Sequence, residues 1–205
     1  MKILCIDMNI IMAPCIRLYE DRVSARENPE IGWINLERTM GIGAHLLYDT
    51  ELLLDIARLI KNNKNAVFAV TEQQKDNVAV IEEVMHEIKC GDSQTNDSIH
   101  VTNIDFFCDA GRPEDRSRFD FGVYSDDSWL GYLAKKYPEM AFTWVKAPGS
   151  AVPECACREQ SIEIASVSDI AELPQDHDLI ILTCTQRFVP YRYRHLGDLL
   201  GVCAG

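Results

Sequence analysis

Short apolar runs alternate along the chain with longer stretches of helical periodicity. KILCID (2–7), AVFAVT (66–71) and IHVTNI (99–104) are apolar enough to predict strands buried on both faces. FTWVK (142–146), SIEIA (161–165) and LIILTC (179–184), each bounded by Pro, Gly, Ser or Asp, predict further strands. Between them, DTELLLDIARLIKNN (49–63) repeats Leu and Ile at helical spacing, with acids at its start and Lys and Asn at its end, as the helix dipole prefers. QQKDNVAVIEEVMHEIKCG (73–91) follows the same pattern and stops at Gly91. SDDSWLGYLAKKYP (125–138) opens on a Ser/Asp capping cluster and stops at proline, and VPYRYRHLGDLLG (189–201) reads as a proline-initiated C-terminal helix. Residues 13–45, which include ARENPEIGW, carry few periodic signals and read as an irregular excursion over the sheet edge.

Strands alternating with helices imply an α/β fold, a three-layer α/β/α sandwich with a mainly parallel sheet. A length of 205 residues fits one such domain over 1–205, and no internal repeat interrupts it. With 47% hydrophobic and 25% charged residues the chain has the composition of an ordinary globular protein.

Charge narrows the function classes. Acidic residues outnumber basic ones 32 to 20, and a net charge of −12 repels a phosphate backbone, so nucleic acid is a poor partner. The locally basic, aromatic RFVPYRYRH (187–195) reads as a solvated helix face. Asp7 and Asn9 interrupt the first apolar run, which therefore reads as a strand rather than a signal peptide. No run reaches the ~18 apolar residues of a membrane span, so a soluble, cytoplasmic protein with no membrane partner is expected. Cys5, Cys184 and Cys203 read as small buried hydrophobes, and Cys155 and Cys157 form a C-x-C in a loop with no second pair at zinc-site spacing.

In an open α/β sheet ligands bind beyond the carboxyl ends of the strands, which here read Asp7-Met8-Asn9, Thr71-Glu72-Gln73 and Asp105-Phe106-Phe107-Cys108-Asp109. Any one of these acids could simply end its strand or cap the next helix. Together they repel one another and lose solvation, a cost that a bound divalent cation offsets. Asp7, Asp105 and Asp109 are therefore the candidate metal ligands.

NIDFFCDAG resembles the Asp-x-His-x-Asp metal motif of the arginase superfamily, with Phe107 where the histidine would stand. The order of elements is similar to the permuted arginase-like family that includes the peptide arginases of ribosomal-peptide modification, in which an Asp-x-Asp pair comes from the first strand, here KILCIDMNI. DDSWLGYLAKKYPEMAFTWVKAPGS and DLIILTCTQRFVPYRYRHLGDLL look like later segments of that family, so the likeness spans most of the chain. It implies an arginase-like fold and Mn²⁺, with paired ions activating a water against a guanidinium carbon. Asp7 and Asp105 would then bridge and Asp109 would hold one ion. The chain departs from the pattern at Asn9, at Phe107 and at TEQQ, which offers Glu72 or Gln73 in place of a histidine. Losing imidazoles and a carboxylate weakens a second ion, so fewer than two ions are expected.

The resemblance leaves two functional classes. In one, a single ion assisted by Glu72, Asp126 or Asp127 activates water, with Cys108 as a ligand or nucleophile and Asn9, Asp127 and Trp144 as substrate contacts, Trp144 by stacking on a guanidinium. In the other, a pseudoenzyme pairs its acids with a cationic ligand without turnover. Either way the partner is a small guanidino or amine compound or an arginine-containing peptide. His45 reads as a satisfied histidine outside the ligand set.

Overall fold

The computed structural model describes residues 1–12, 16, 28–40, 48–90, 98–151, 154–185, 189 and 193–204. Its centre is one six-stranded sheet of β1 (Lys2–Asp7), β2 (Val67–Thr71), β3 (His100–Asp105), β4 (Ala141–Lys146), β5 (Ile162–Ser166) and β6 (Leu179–Thr183), in the order β2-β6-β1-β3-β4-β5. Every pairing is parallel, and β1 lies between β3 and β6, with Ile6 opposite both Ile104 and Leu182. This is the expected three-layer α/β/α sandwich.

The described helices are α1 (Pro29–Met40), α2 (Thr50–Asn62), α3 (Asn77–Cys90), α4 (Arg116–Phe119), α5 (Trp129–Lys136), α6 (Glu154–Glu159) and α7 (His195–Cys203). Side chains alternate across each strand, so β1 sends Leu4 and Ile6 to one face and Ile3, Cys5 and Asp7 to the other. The first face packs under α1, α2 and α7 through Trp33, Ile56, Ile60 and Leu196. The second packs under α3, α5 and α6 through Ile81, Trp129, Leu133 and Cys157. Crossovers toward β5 use the second face and those toward β2 use the first, which gives every crossover the same hand.

Four expectations change. Part of the stretch read as irregular is helical: Asn28 caps α1, its Oδ1 accepting from the amide of Glu30 at 3.0 Å, Pro29 fills the first helical position, and Trp33 and Leu36 bury one face. β2 is an edge strand rather than a strand buried on both faces, with Val67 and Val70 60% and 63% exposed. The C-terminal helix starts at His195, not at the proline, and the Val189 amide instead donates to the Thr185 carbonyl at 3.1 Å. Cys157 lies in a helix rather than a loop. Gly91 and residues 13–15, 17–27 and 41–45 lie outside the described residues.

Packing between α5 and the loop after β3 is close enough to require glycine. A Cβ at Gly131 would collide with the Ala110 carbonyl, whereas one at Gly201 would meet only the Phe68 ring at 3.7 Å. Gly131→Ala is therefore expected to destabilise the fold by about 1–3 kcal/mol through overpacking. Gly201→Ala should be neutral or stabilising by up to ~1 kcal/mol, because alanine favours a helix. Urea denaturation of the two variants checks both signs.

Candidate functional site

Asp7 and Asp105 end adjacent strands on the same face of the sheet. The chain leaves β1 toward one edge and β3 toward the other, so these acids stand at the point where the strand order reverses. Asp109 returns to them through a left-handed turn, unusual for a non-glycine residue, at φ 53°. Its carbonyl accepts from the amides of Leu130 and Gly131 at 3.1 and 3.2 Å, and its Oδ2 accepts from Trp129 Nε1 at 2.9 Å. All three carboxyls are buried.

Each is held by donors from a different strand end. Asp7 Oδ1 accepts from the Asn9 amide at 2.8 Å and its Oδ2 from the Thr185 hydroxyl, beyond β6, at 2.6 Å. Asp105 Oδ1 accepts from the Phe107 amide at 3.0 Å, and its Oδ2 takes a close hydrogen bond from Gln74 Nε2, beyond β2. Gln74 is positioned by the turn into α3, where Asn77 Oδ1 accepts from the hydroxyls of Thr71 and Thr183 at 2.8 and 3.1 Å. Those threonines end the neighbouring strands β2 and β6.

Burial pushes the pKa of Asp7 well up, and the charge of Asp105 adds to it, against hydrogen bonds from Thr185 and Asn9. Burial likewise raises Asp109, helped by the charge of Asp105 and a hydrogen bond to it, against the donor Trp129. Asp105 is also raised by burial, while hydrogen bonds from Asp109 and the Phe107 amide favour its charged form. All three carboxyls are thus pushed upward by burial, with Asp105 the best supplied with hydrogen bonds that favour its charged form.

The remaining candidates divide. Asn9 is buried beside the acids, its Oδ1 accepting from the Phe106 amide at 3.2 Å, while its Nδ2 makes no well-formed hydrogen bond among the described residues. Glu72 is exposed, and the residue of TEQQ that reaches the acids is Gln74. Asp127 is exposed and accepts from the Ser125 hydroxyl at 2.5 Å, and Asp126 accepts from the Lys75 amide at 3.0 Å. Trp144 is wholly buried in the second core and donates to the Asp105 carbonyl at 3.0 Å, so it braces the strand end from within and has no free face for a guanidinium. Cys108 is buried, and its hydrogen bond with Cys157, together with burial, drives its pKa upward, the reverse of what a nucleophilic thiolate needs. Phe107 packs edge-on against Phe106 at 5.0 Å and supplies no ligand. His45 lies outside the described residues.

Gln74, Thr185 and Trp129 had no signal of their own in the sequence. Each is an uncharged residue that matters only because the sheet order carries it to the acids. Among the described residues no group of three or more His, Cys, Asp or Glu side chains is arranged to hold a metal ion. The acids meet as a buried cluster, each carboxyl held by its own donors, rather than as a preformed ligand set. Among the described residues their chemistry is hard oxygen without imidazole, which does not fit a binuclear centre of arginase type. A cleft of about 330 Å³ opens elsewhere, between Arg116, Lys135, Met140 and Phe142. Among the described residues no helix is long and apolar enough to cross a membrane.

Comparison of the chain with models of protein families, with curated proteins and with solved structures found no match in any of the three.

Acids whose pKa is raised on folding stabilise the fold below their unfolded value near 3.9, and that contribution is lost as the pH rises through the folded value. Asp109→Asn removes one such group and keeps an acceptor for Trp129. In thermal melts with a chelator present, the variant should gain on the wild type by up to ~1.4 kcal/mol per pH unit above pH ~4. A pH-independent difference would mean that Asp109 carries no proton in the native state.

Proposed function

We propose that the protein is a divergent, arginase-like metal-dependent hydrolase acting on a guanidino or amine group, including arginine within a peptide. The observation that carries this reading is the convergence of Asp7, Asp105 and Asp109, buried and mutually repelling, at the switch point of the sheet. These residues would hold one Mn²⁺ through carboxylate oxygens, with Thr185 orienting Asp7 and Trp129 orienting Asp109. When bound, such an ion supplies a water of lowered pKa as the nucleophile. The chain's own part is to keep the acids dry and aligned, to give up their protons as the ion enters, and to lend Asn9 Nδ2, which makes no well-formed hydrogen bond among the described residues, to a substrate acceptor. A cytoplasmic location belongs to the same reading, in line with free Cys5, Cys108, Cys157, Cys184 and Cys203.

One observation favours a second reading, a pseudoenzyme that binds a cationic ligand or peptide without turnover. The N–H of Gln74 already donates into the Asp105 carboxylate, as a guanidinium N–H would.

Metal content by mass spectrometry, with and without added Mn²⁺, separates them. The hydrolase reading expects about one ion per chain, a rise in melting temperature with Mn²⁺, and urea or amine release from arginine-containing peptides, all lost in Asp105→Ala. Binding of such peptides by metal-free protein without product would establish the second reading. Neither ion nor peptide binding would leave both without support.

A further inference from the structure

Cys108 and Cys157 bring their sulfurs to 2.8 Å, although 49 positions separate them in the chain. Cys108 lies in the loop that carries Asp109, and Cys157 lies in α6 on the face packed against the sheet. A second bond docks the same two segments, since Gln160 Nε2 donates to the Ala110 carbonyl at 2.9 Å. The approach is thus built into the way α6 sits on the loop. Two thiolates sharing one zinc would stand roughly 3.7 Å apart, given Zn–S bonds of ~2.3 Å in a tetrahedron, so the pair is too close to be half of a metal site. A disulfide at about 2.05 Å needs the sulfurs to close by only about 0.8 Å. Both cysteines are buried, which excludes bulky reagents.

We propose that Cys108 and Cys157 are a redox-responsive dithiol that closes to a disulfide on reaction with a small hydroperoxide and reopens with a thiol reductant. The sulfur that reacts first attacks a peroxide oxygen as its thiolate. The O–O bond breaks, and the departing hydroxide takes up the thiol proton as water, leaving a sulfenic acid. The second sulfur then attacks the first, the S–O bond breaks, and the remaining thiol proton leaves with that hydroxide as a second water. Two thiols lose two electrons and two protons, and hydrogen peroxide accepts them. The closed form staples α6 to the segment that positions Asp109, and this chemistry requires neither a metal nor a substrate at the acid cluster.

The test treats the reduced, full-length protein with stoichiometric hydrogen peroxide, denatures it in an alkylating reagent and maps its peptides by mass spectrometry. The expected result is a Cys108–Cys157 linked peptide about 2 Da lighter than its two halves, which disappears after dithiothreitol. It should also be absent from Cys157→Ser. The wild-type map decides the matter even if the variant folds poorly. Recovery of both residues as alkylated thiols, their conversion to sulfinic acid, or pairing with another cysteine such as Cys155 would overturn the proposal.

Discussion

Placing Asp7 and Asp105 side by side and buried at the carboxyl ends of the two central strands is the constraint on which the rest of this structure turns. Two carboxylates in that position oppose folding by desolvation and by mutual repulsion. The surroundings answer with donors: backbone amides at Asn9 and Phe107, the Thr185 hydroxyl, the Gln74 amide and the Trp129 indole on the adjoining Asp109. Each donor comes from the end of a different strand or from the helix beyond it. The carboxyl edge of the sheet is thereby organised around a polar knot, while β1 between Lys2 and Asp7 is wholly apolar.

That arrangement ties folding to chemistry. The burial that raises the pKa of these acids is set by the same polar support that fixes where their oxygens point. The same loop that returns Asp109 to the cluster also carries Cys108 to Cys157 and Ala110 to Gln160. Asp109 is thus held from α5 by Trp129, while its sequence neighbours are held by α6.

Much of the architecture was legible from the chain. Six apolar runs became six parallel strands within a residue or two, and the helix over 49–63 emerged as Thr50–Asn62, because Leu and Ile at helical spacing and an Asp49 cap leave little choice. The errors have local causes. The stretch that includes ARENPEIGW reads as irregular although its Asn-Pro starts α1, whose buried stripe among the described side chains is as short as Trp33 and Leu36. β2 looked as apolar as its neighbours but sits at the edge, a position that composition does not encode. Of TEQQ the sequence offers Glu72 or Gln73, yet the turn after β2 points the amide of Gln74 inward and leaves both of those residues in water.

The sequence by itself determined the class of fold and the identity of the buried acids, because periodicity and strand-ending carboxylates are properties of residues close together in the chain. Only the tertiary structure decided that β1 and β3 are neighbours, and hence that Asp7 meets Asp105. It also decided that Gln74, Thr185 and Trp129 complete the cluster, that Trp144 is structural support, and that Cys108 faces Cys157. Each of these is a pairing between segments tens of residues apart, set by which strand hydrogen-bonds to which and by the face each crossover takes. Local pattern cannot specify such pairings, because the free energy that selects them comes from burying both faces of the whole sheet at once.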